Sequence, residues 1–256
     1  MSTSFGILVK HWRNIRRFSQ LGLSVESGMS SRHISFLETG RSKPSRGSVL
    51  TLARVLEMPK PAVNDALLAA GFAPEYPALD MDDLDLAPMM EAMMTILENH
   101  SPMPAIIIDG AWQIVGGNKA AMHMMQYLPM HGSMSVVDAL VNDNPENPVF
   151  LNWDEIATWT LQRLQVESAR GGRQGPLMKV YKQLSEAPRL AEKKCESFSN
   201  NGPFLTLKAR VGEHNLSLLT MLAEFTTAQD INMSERRVEL FFPADAQTRT
   251  FFEALG

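Results

Sequence analysis

Two histidines, His123 and His131, stand in the methionine-rich stretch MHMMQYLPMHGSM. Imidazole and thioether groups together are ligands that a soft ion such as copper(I) accepts. The same stretch is also typical of a hydrophobic helix with one exposed histidine, and we favour that interpretation. No Cys/His pattern suits zinc, because Cys195 is the single cysteine. We therefore expect no metal site.

No pattern of residues in the sequence matches a catalytic site. The carboxylates of Asp154 and Glu155, and those of Asp82 and Asp83, are adjacent in sequence, so neither pair converges on one site as catalytic acids and bases do. The chain has no P-loop, dinucleotide fingerprint or Gly-x-Ser-x-Gly elbow. We expect neither an enzyme nor a cofactor.

Positive charge is concentrated near the N terminus. Residues 1–78 carry ten Lys/Arg and five Asp/Glu, a net charge of +5, whereas the rest of the chain carries −9. This asymmetry indicates that only the basic part meets a polyanion, although a solvated basic face would have the same composition. The single cysteine, the absence of a secretory signal and the short apolar runs predict a cytoplasmic protein without a membrane segment.

Helices are the elements that would present this basic part to a partner. Gly28 supplies a left-handed turn between two short helices, and Leu21, Leu23 and Val25 of the first of them are expected to be partly buried. Two short helices joined by such a turn are the helix-turn-helix layout. Apolar residues at helical spacing predict five helices, over about residues 5–17, 19–27, 31–39, 45 or 48 to 56, and 61–71.

The stretch SQLGLSVESGMSSRHISFLETGRSKPS closely resembles the lambda-repressor/Cro-like (XRE) family of helix-turn-helix regulators. The resemblance covers about residues 5–72. The matching features are Ser19-Gln20, Gly28, the helix start Ser30-Ser31-Arg32, Ile34, and Leu37-Glu38-x-Gly40 with Lys43-Pro44 beyond it.

This resemblance implies a double-stranded DNA operator as the partner. Ser30, Ser31, Arg32 and Ser35 are expected to face the major groove, where Arg32 alone can hydrogen-bond guanine bidentately. Phosphate contacts are expected from Gln20, Arg41, Lys43 and Arg46. Phe36 stands where family members often carry a polar base-reading side chain. We expect it to lie in the core or to pack against neighbouring helices, in preference to a contact with a thymine methyl group. Because one head offers few base contacts, we expect a homodimer.

An acidic, proline-containing segment over residues 74–86 separates the predicted head, residues 1–73, from a second domain, residues 87–256. The second domain is expected to be an antiparallel sheet wrapped on one face by helices. The predicted fold class is α+β with two domains: an all-α five-helix helix-turn-helix domain, then a PAS-like antiparallel sheet covered by helices. The predicted elements are helices over 87–99, from 118, across 136–190 and over 244–255, and strands in AIIID, WQIVG, PFLTLKARV, LSLLTMLAEFTTA and RRVELFF.

Three stretches of this part resemble the MmyB-like ligand-binding domain, a PAS-like fold found C-terminal to XRE-type heads. They are AIIIDGAWQIVGGNKAA, NWDEIATWTLQRL and EFTTAQDINMSERRVELFFPAD, within about residues 87–255. Asp230 and the FFPAD pattern at 241–245 are the most specific. The segment KKCESFSNN at 193–201 departs from the family, which often has a Trp-containing segment there.

The second resemblance implies an apolar pocket between sheet and helices, occupied in some members by a fatty-acid-like molecule. Residues 89–134 are rich in methionine, which fills adaptable cavities and ordinary cores alike. The predicted function is a DNA-binding transcription regulator that senses a small hydrophobic ligand. The alternative is a second domain that only dimerises or recruits a partner. The expected pocket residues are Met93, Ile107, Trp112, Met122, Met125, Trp153, Leu205, Leu207, Leu219 and Met221.

Overall fold

A computed structural model describes residues 4–130, 132, 134–171, 176–191 and 205–255. The chain divides into two compact units: the first runs to Ala78, and most of the chain from Leu79 onward forms the second. The segment at 193–201, the start of the strand predicted at Pro203, and His131 lie outside the described residues.

The first unit contains the five helices that the apolar spacing predicts. Ser19, Ser30 and Ser45 each cap the helix that follows, because each side chain accepts a hydrogen bond from an amide three residues further on. Ser45, and not Ser48, is thus the N-cap of the fourth helix. The helices are α1 (Phe5–Ile15), α2 (Gln20–Ser27), α3 (Ser31–Glu38), α4 (Arg46–Val55) and α5 (Lys60–Ala69).

Two glycines allow the helices of the head to approach and turn. Gly28 has a φ of +70°, the left-handed conformation that ends α2. A Cβ at Gly6 would collide with backbone carbonyl oxygens at the end of α3, so glycine lets α1 and α3 pack closely. The expected burial of Leu21 and Val25 is wrong: they are 67% and 73% exposed, because residues two apart on a helix point in nearly opposite directions and Leu23 takes the buried side.

The second unit is built on one antiparallel sheet, in the strand order β2-β1-β5-β4-β3. Together with the helical head, this confirms the α+β two-domain class. After a short 3-10 turn at Leu84–Leu86, the elements are α6 (Ala87–Asn99), β1 (Ala105–Ile108), β2 (Ile114–Gly117), α7 (Lys119–Met125), α8 (Val136–Val141), α9 (Trp153–Gly171), α10 (Pro176–Ser185), α11 (Pro188–Ala191), β3 (Leu207–Val211), β4 (His214–Glu224), α12 (Ile231–Ser234), β5 (Arg237–Pro243) and α13 (Ala246–Glu253).

Helices cover both faces of the sheet, so the expectation that they cover one face is wrong. All four residues of β1 are buried. Ile106 and Ile108 pack with α7 and α13 in one apolar cluster, whereas Ile107 packs with α6 in another. Successive side chains of a strand point to opposite faces, so an uninterrupted apolar strand needs a cover on each side.

Asn118, predicted to open a helix, also joins several elements. Its Oδ1 accepts hydrogen bonds from the amides of Ala105 and Ala121, and its Nδ2 donates to the carbonyls of Leu97 and Met103. The side chain is buried. These four bonds satisfy backbone groups at the end of α6, at the start of β1 and in the first turn of α7.

Candidate DNA-binding surface and ligand cavity

Helix α3 presents the side chains predicted to read bases. Ser31 and Arg32 are exposed and Ser35 is half-buried, while Ser30 serves as the N-cap of α3. Phe36 is half-buried, and the guanidinium carbon of Arg32 lies 5.2 Å from the centroid of its ring. Phe36 therefore supports Arg32 through a cation–π contact on the surface of α3 and is not part of the buried core.

Gln20 takes part in a partly buried network within the head. Its Nε2 donates to Oε2 of Glu38 at 2.8 Å, and Arg13 donates to both Glu38 oxygens at 2.6 and 3.0 Å. Burial alone would raise the pKa of Glu38, but the hydrogen bonds from Arg13 and Gln20, together with the charges of Arg13 and Lys10, outweigh it, and the pKa lies below its usual value. The predicted phosphate contact of Gln20 would have to coexist with this bond.

Three further cations were predicted to contact phosphates, and one of them has an intramolecular partner. Arg41 and Lys43 are exposed. Nη2 of Arg46 donates to Oε2 of Glu75 at 2.6 Å, and both side chains are 40% exposed. Glu75 is held there because the buried side chain of Asn64 accepts a hydrogen bond from its backbone amide at 2.9 Å.

The second unit contains an apolar cavity of about 370 Å³ on the Ile106 face of the sheet. All five strands contribute to its lining, together with α7, α8, α9 and the segments next to them. Its volume lies in the range of sites that bind small molecules. The described lining residues are Ile106, Ile108, Trp112, Ile114, Met124, Met125, Leu128, Val136, Phe150, Ile156, Trp159, Thr160, Arg163, Leu205, Leu207, Ala209, Leu219, Thr220, Glu239 and Phe241.

The structure places half of the expected pocket residues at this cavity. Those that line it are Trp112, Met125, Leu205, Leu207 and Leu219.

The other five expected pocket residues lie elsewhere, for different reasons. Ile107 and Met93 pack together on the opposite face of the sheet. Trp153 is buried in a neighbouring cluster, where its indole nitrogen donates to the carbonyl of Leu140 at 2.7 Å. Met122 and Met221 are 45% and 53% exposed.

An ion pair lies in the apolar lining, and the sequence analysis did not identify it. Nη1 of Arg163 on α9 donates to Oε1 of Glu239 on β5 at 3.1 Å, and each side chain is 11% exposed. The guanidinium carbon lies 4.5 Å from the ring centroid of Trp112 and 5.4 Å from that of Trp159. Two sequence features mark the individual residues but not their pairing: a glutamate inside the apolar strand RVELFF, and Arg163 one helical turn after Trp159.

Metal ligation has little support among the described side chains, where no group of three His, Cys, Asp or Glu is placed to hold an ion. His123 packs edge-on against the ring of Tyr127, with the centroids 5.6 Å apart. Within the same described ranges, no helix is long and apolar enough to cross a membrane.

Comparison with known families gives one match, and it covers the part of the chain that holds the cavity. Residues 89–255 match the family model described as the MmyB-like transcription regulator ligand binding domain. A search of curated proteins finds no match to the chain.

Proposed function

Because the chain belongs to the family of the MmyB-like transcription regulator ligand binding domain, we propose that it is a sequence-specific DNA-binding regulator whose second domain senses a fatty-acid-like molecule. The family is one of ligand-binding domains of transcription regulators and not of enzymes. Regulation and ligand binding follow from the family. DNA as the partner and a fatty-acid-like molecule as the ligand are what we propose in addition.

The observation that carries the proposal is the cavity itself. Its lining is mostly aliphatic and aromatic, and it lies within the matched residues. Concave apolar sites with a few polar groups are typical of small-molecule binding. An alkyl chain of an amphiphile would gain about 0.8 kcal/mol for each methylene that it buries.

Support for DNA as the partner comes from the head. The net charge of +5 over residues 1–78, the resemblance of the head to XRE-type heads and the exposed Arg32 on a helix capped by Ser30 suit an element that enters the major groove. We propose that Ser31, Arg32 and Ser35 face bases and that Arg41 and Lys43 contact phosphates. A homodimer would place two heads on half-sites one helical turn or a multiple of it apart.

The test combines native mass spectrometry with operator titration. We expect the natively purified full chain to carry one bound lipid per protomer. Delipidated protein should change its operator affinity by about 5- to 150-fold when dodecanoate saturates it. A ligand shifts an equilibrium only by its differential affinity for the two states, so proven occupancy with unchanged operator affinity would refute the sensor role. A chain that never binds lipid but dimerises would favour the alternative of an interaction module.

A further inference from the structure

We propose that Arg163 and Glu239 form the headgroup site of the cavity and select a ligand with an anionic headgroup such as a carboxylate. When such a ligand binds, the Arg163 guanidinium, which carries five N–H donors, is shared between Glu239 and the ligand headgroup, so that the Glu239 carboxylate is not left buried without its cation. The inference rests on the proposed function, because it names the headgroup chemistry of the ligand that this function requires.

Stability of the fold does not account for the pair. Placing two charges in a weakly solvated environment costs several kcal/mol per ion, and well-packed apolar side chains of similar size are often at least as stable. Glu239 belongs to an otherwise apolar strand, and its neighbours along the strand, Val238 and Leu240, are buried on the opposite face. A charged pair placed against a cavity that is otherwise apolar is suited to meet the polar end of an amphiphile.

The geometry favours an anion over a cation. The guanidinium of Arg163 lies against two indole rings, those of Trp112 and Trp159, and these contacts hold it in place whichever anion it pairs with. A guanidinium also offers a planar set of donors that matches a carboxylate. A cationic headgroup would instead have to compete with Arg163, which pairs with Glu239 and contacts both indoles.

The remaining lining is suited to the tail of the same ligand. Among the described lining residues, Arg163 and Glu239 carry the charge, and Thr160 and Thr220 are the hydroxyl-bearing neighbours. The rest of the lining is mostly apolar, including Ile108 on β1. An amphiphile would therefore place its headgroup at the Arg163–Glu239 pair and its alkyl chain along the sheet.

Calorimetric titration of the delipidated full chain with dodecanoate, dodecanol and dodecyltrimethylammonium tests the inference. Wild type should bind dodecanoate about 10- to 100-fold more tightly than dodecanol, because hydrogen bonds to charged groups are among the stronger ones. Glu239→Gln removes the competing carboxylate and should tighten dodecanoate binding about tenfold, with dodecanol within about twofold. Glu224→Gln, which removes an exposed carboxylate on the adjacent strand β4, is the matched control and should leave all three affinities unchanged.

The double variant Arg163→Gln/Glu239→Gln removes both charges at similar size and avoids leaving one buried charge alone. It should lose the preference for dodecanoate over dodecanol. Retention of that preference would place the headgroup elsewhere and overturn the inference. The inference would also be overturned if wild type bound dodecyltrimethylammonium more tightly than dodecanoate and Glu239→Gln abolished that preference. If wild type binds dodecanol and dodecanoate equally, the proposed headgroup site is refuted but the ligand-binding function is not. If wild type binds none of the three probes, the headgroup site and the proposed function are both refuted.

Discussion

Arg13→Met tests whether the buried ion pair with Glu38 stabilises α3, the proposed recognition helix. Arg13 donates to both oxygens of Glu38 and also to the carbonyl of Phe18 at 2.8 Å, and the two charged side chains are 11% and 2% exposed. The variant leaves the Glu38 carboxylate buried with the Gln20 amide still donating to it. Removing one partner of a buried pair costs about 3–5 kcal/mol, so we expect a loss of that size in the free energy of unfolding of the head.

The pH dependence separates a stranded charge from lost packing. In wild type the pKa of Glu38 is lowered, so its stabilising contribution is fully present above the usual carboxyl value of 4.5 and is lost as the pH falls through the lowered pKa. In Arg13→Met the effect of burial prevails, and the pKa of Glu38 rises. A neutral carboxyl costs less to bury, so the penalty should shrink between about pH 7 and about pH 4.

Native-state hydrogen exchange of the full chain measures this loss, because peptides from α1 and α3 report on the head alone. Arg54→Met is the control: Arg54 is exposed on α4, and its replacement should change the free energy of opening by less than about 0.5 kcal/mol. The double variant Arg13→Met/Glu38→Leu should recover most of the stability. A penalty for Arg13→Met that is equal at both pH values would refute the reasoning and assign the loss to packing of the arginine stem.

Three further predictions address the DNA-binding surface and the fold. Arg32→Ala should weaken specific operator binding by about 1–3 kcal/mol and relax the base preference at one position of the operator. Lys43→Ala should weaken binding to all DNA sequences equally and reduce the slope of log affinity against log salt concentration by about one. Selection from a randomised operator library at several salt concentrations distinguishes the two effects. Full discrimination by Arg32→Ala would exclude α3 as the recognition helix. Asn118→Ala removes four hydrogen bonds and should cost about 2–5 kcal/mol in urea unfolding of the full chain. A loss below about 1 kcal/mol would contradict the conclusion that Asn118 holds these elements together. Glu75→Gln should release Arg46 to contact phosphate and raise non-specific DNA affinity by about two- to fivefold, a small change because the Arg46–Glu75 pair is exposed. An unchanged affinity in a filter-binding assay would show that Glu75 does not compete with DNA for Arg46.

The sequence by itself determined the elements and the class of fold, because those signals are local. The N-cap serines, Gly28 in its left-handed turn and the helical spacing of apolar residues need only neighbours a few positions away. The composition likewise placed the basic charge in residues 1–78. The roles of Arg32 and the other expected DNA contacts stay predictions.

Tertiary structure alone decided which residues surround the cavity. In β1, Ile106, Ile107 and Ile108 are the same residue type, so the sequence pattern does not show which of them faces the cavity and which faces α6. Arg163 and Glu239 are 76 residues apart, and the pairing of their charges depends on how α9 lies against β5. Periodicity records the direction of a side chain relative to its own element, but the partner it meets depends on long-range packing that no local pattern contains.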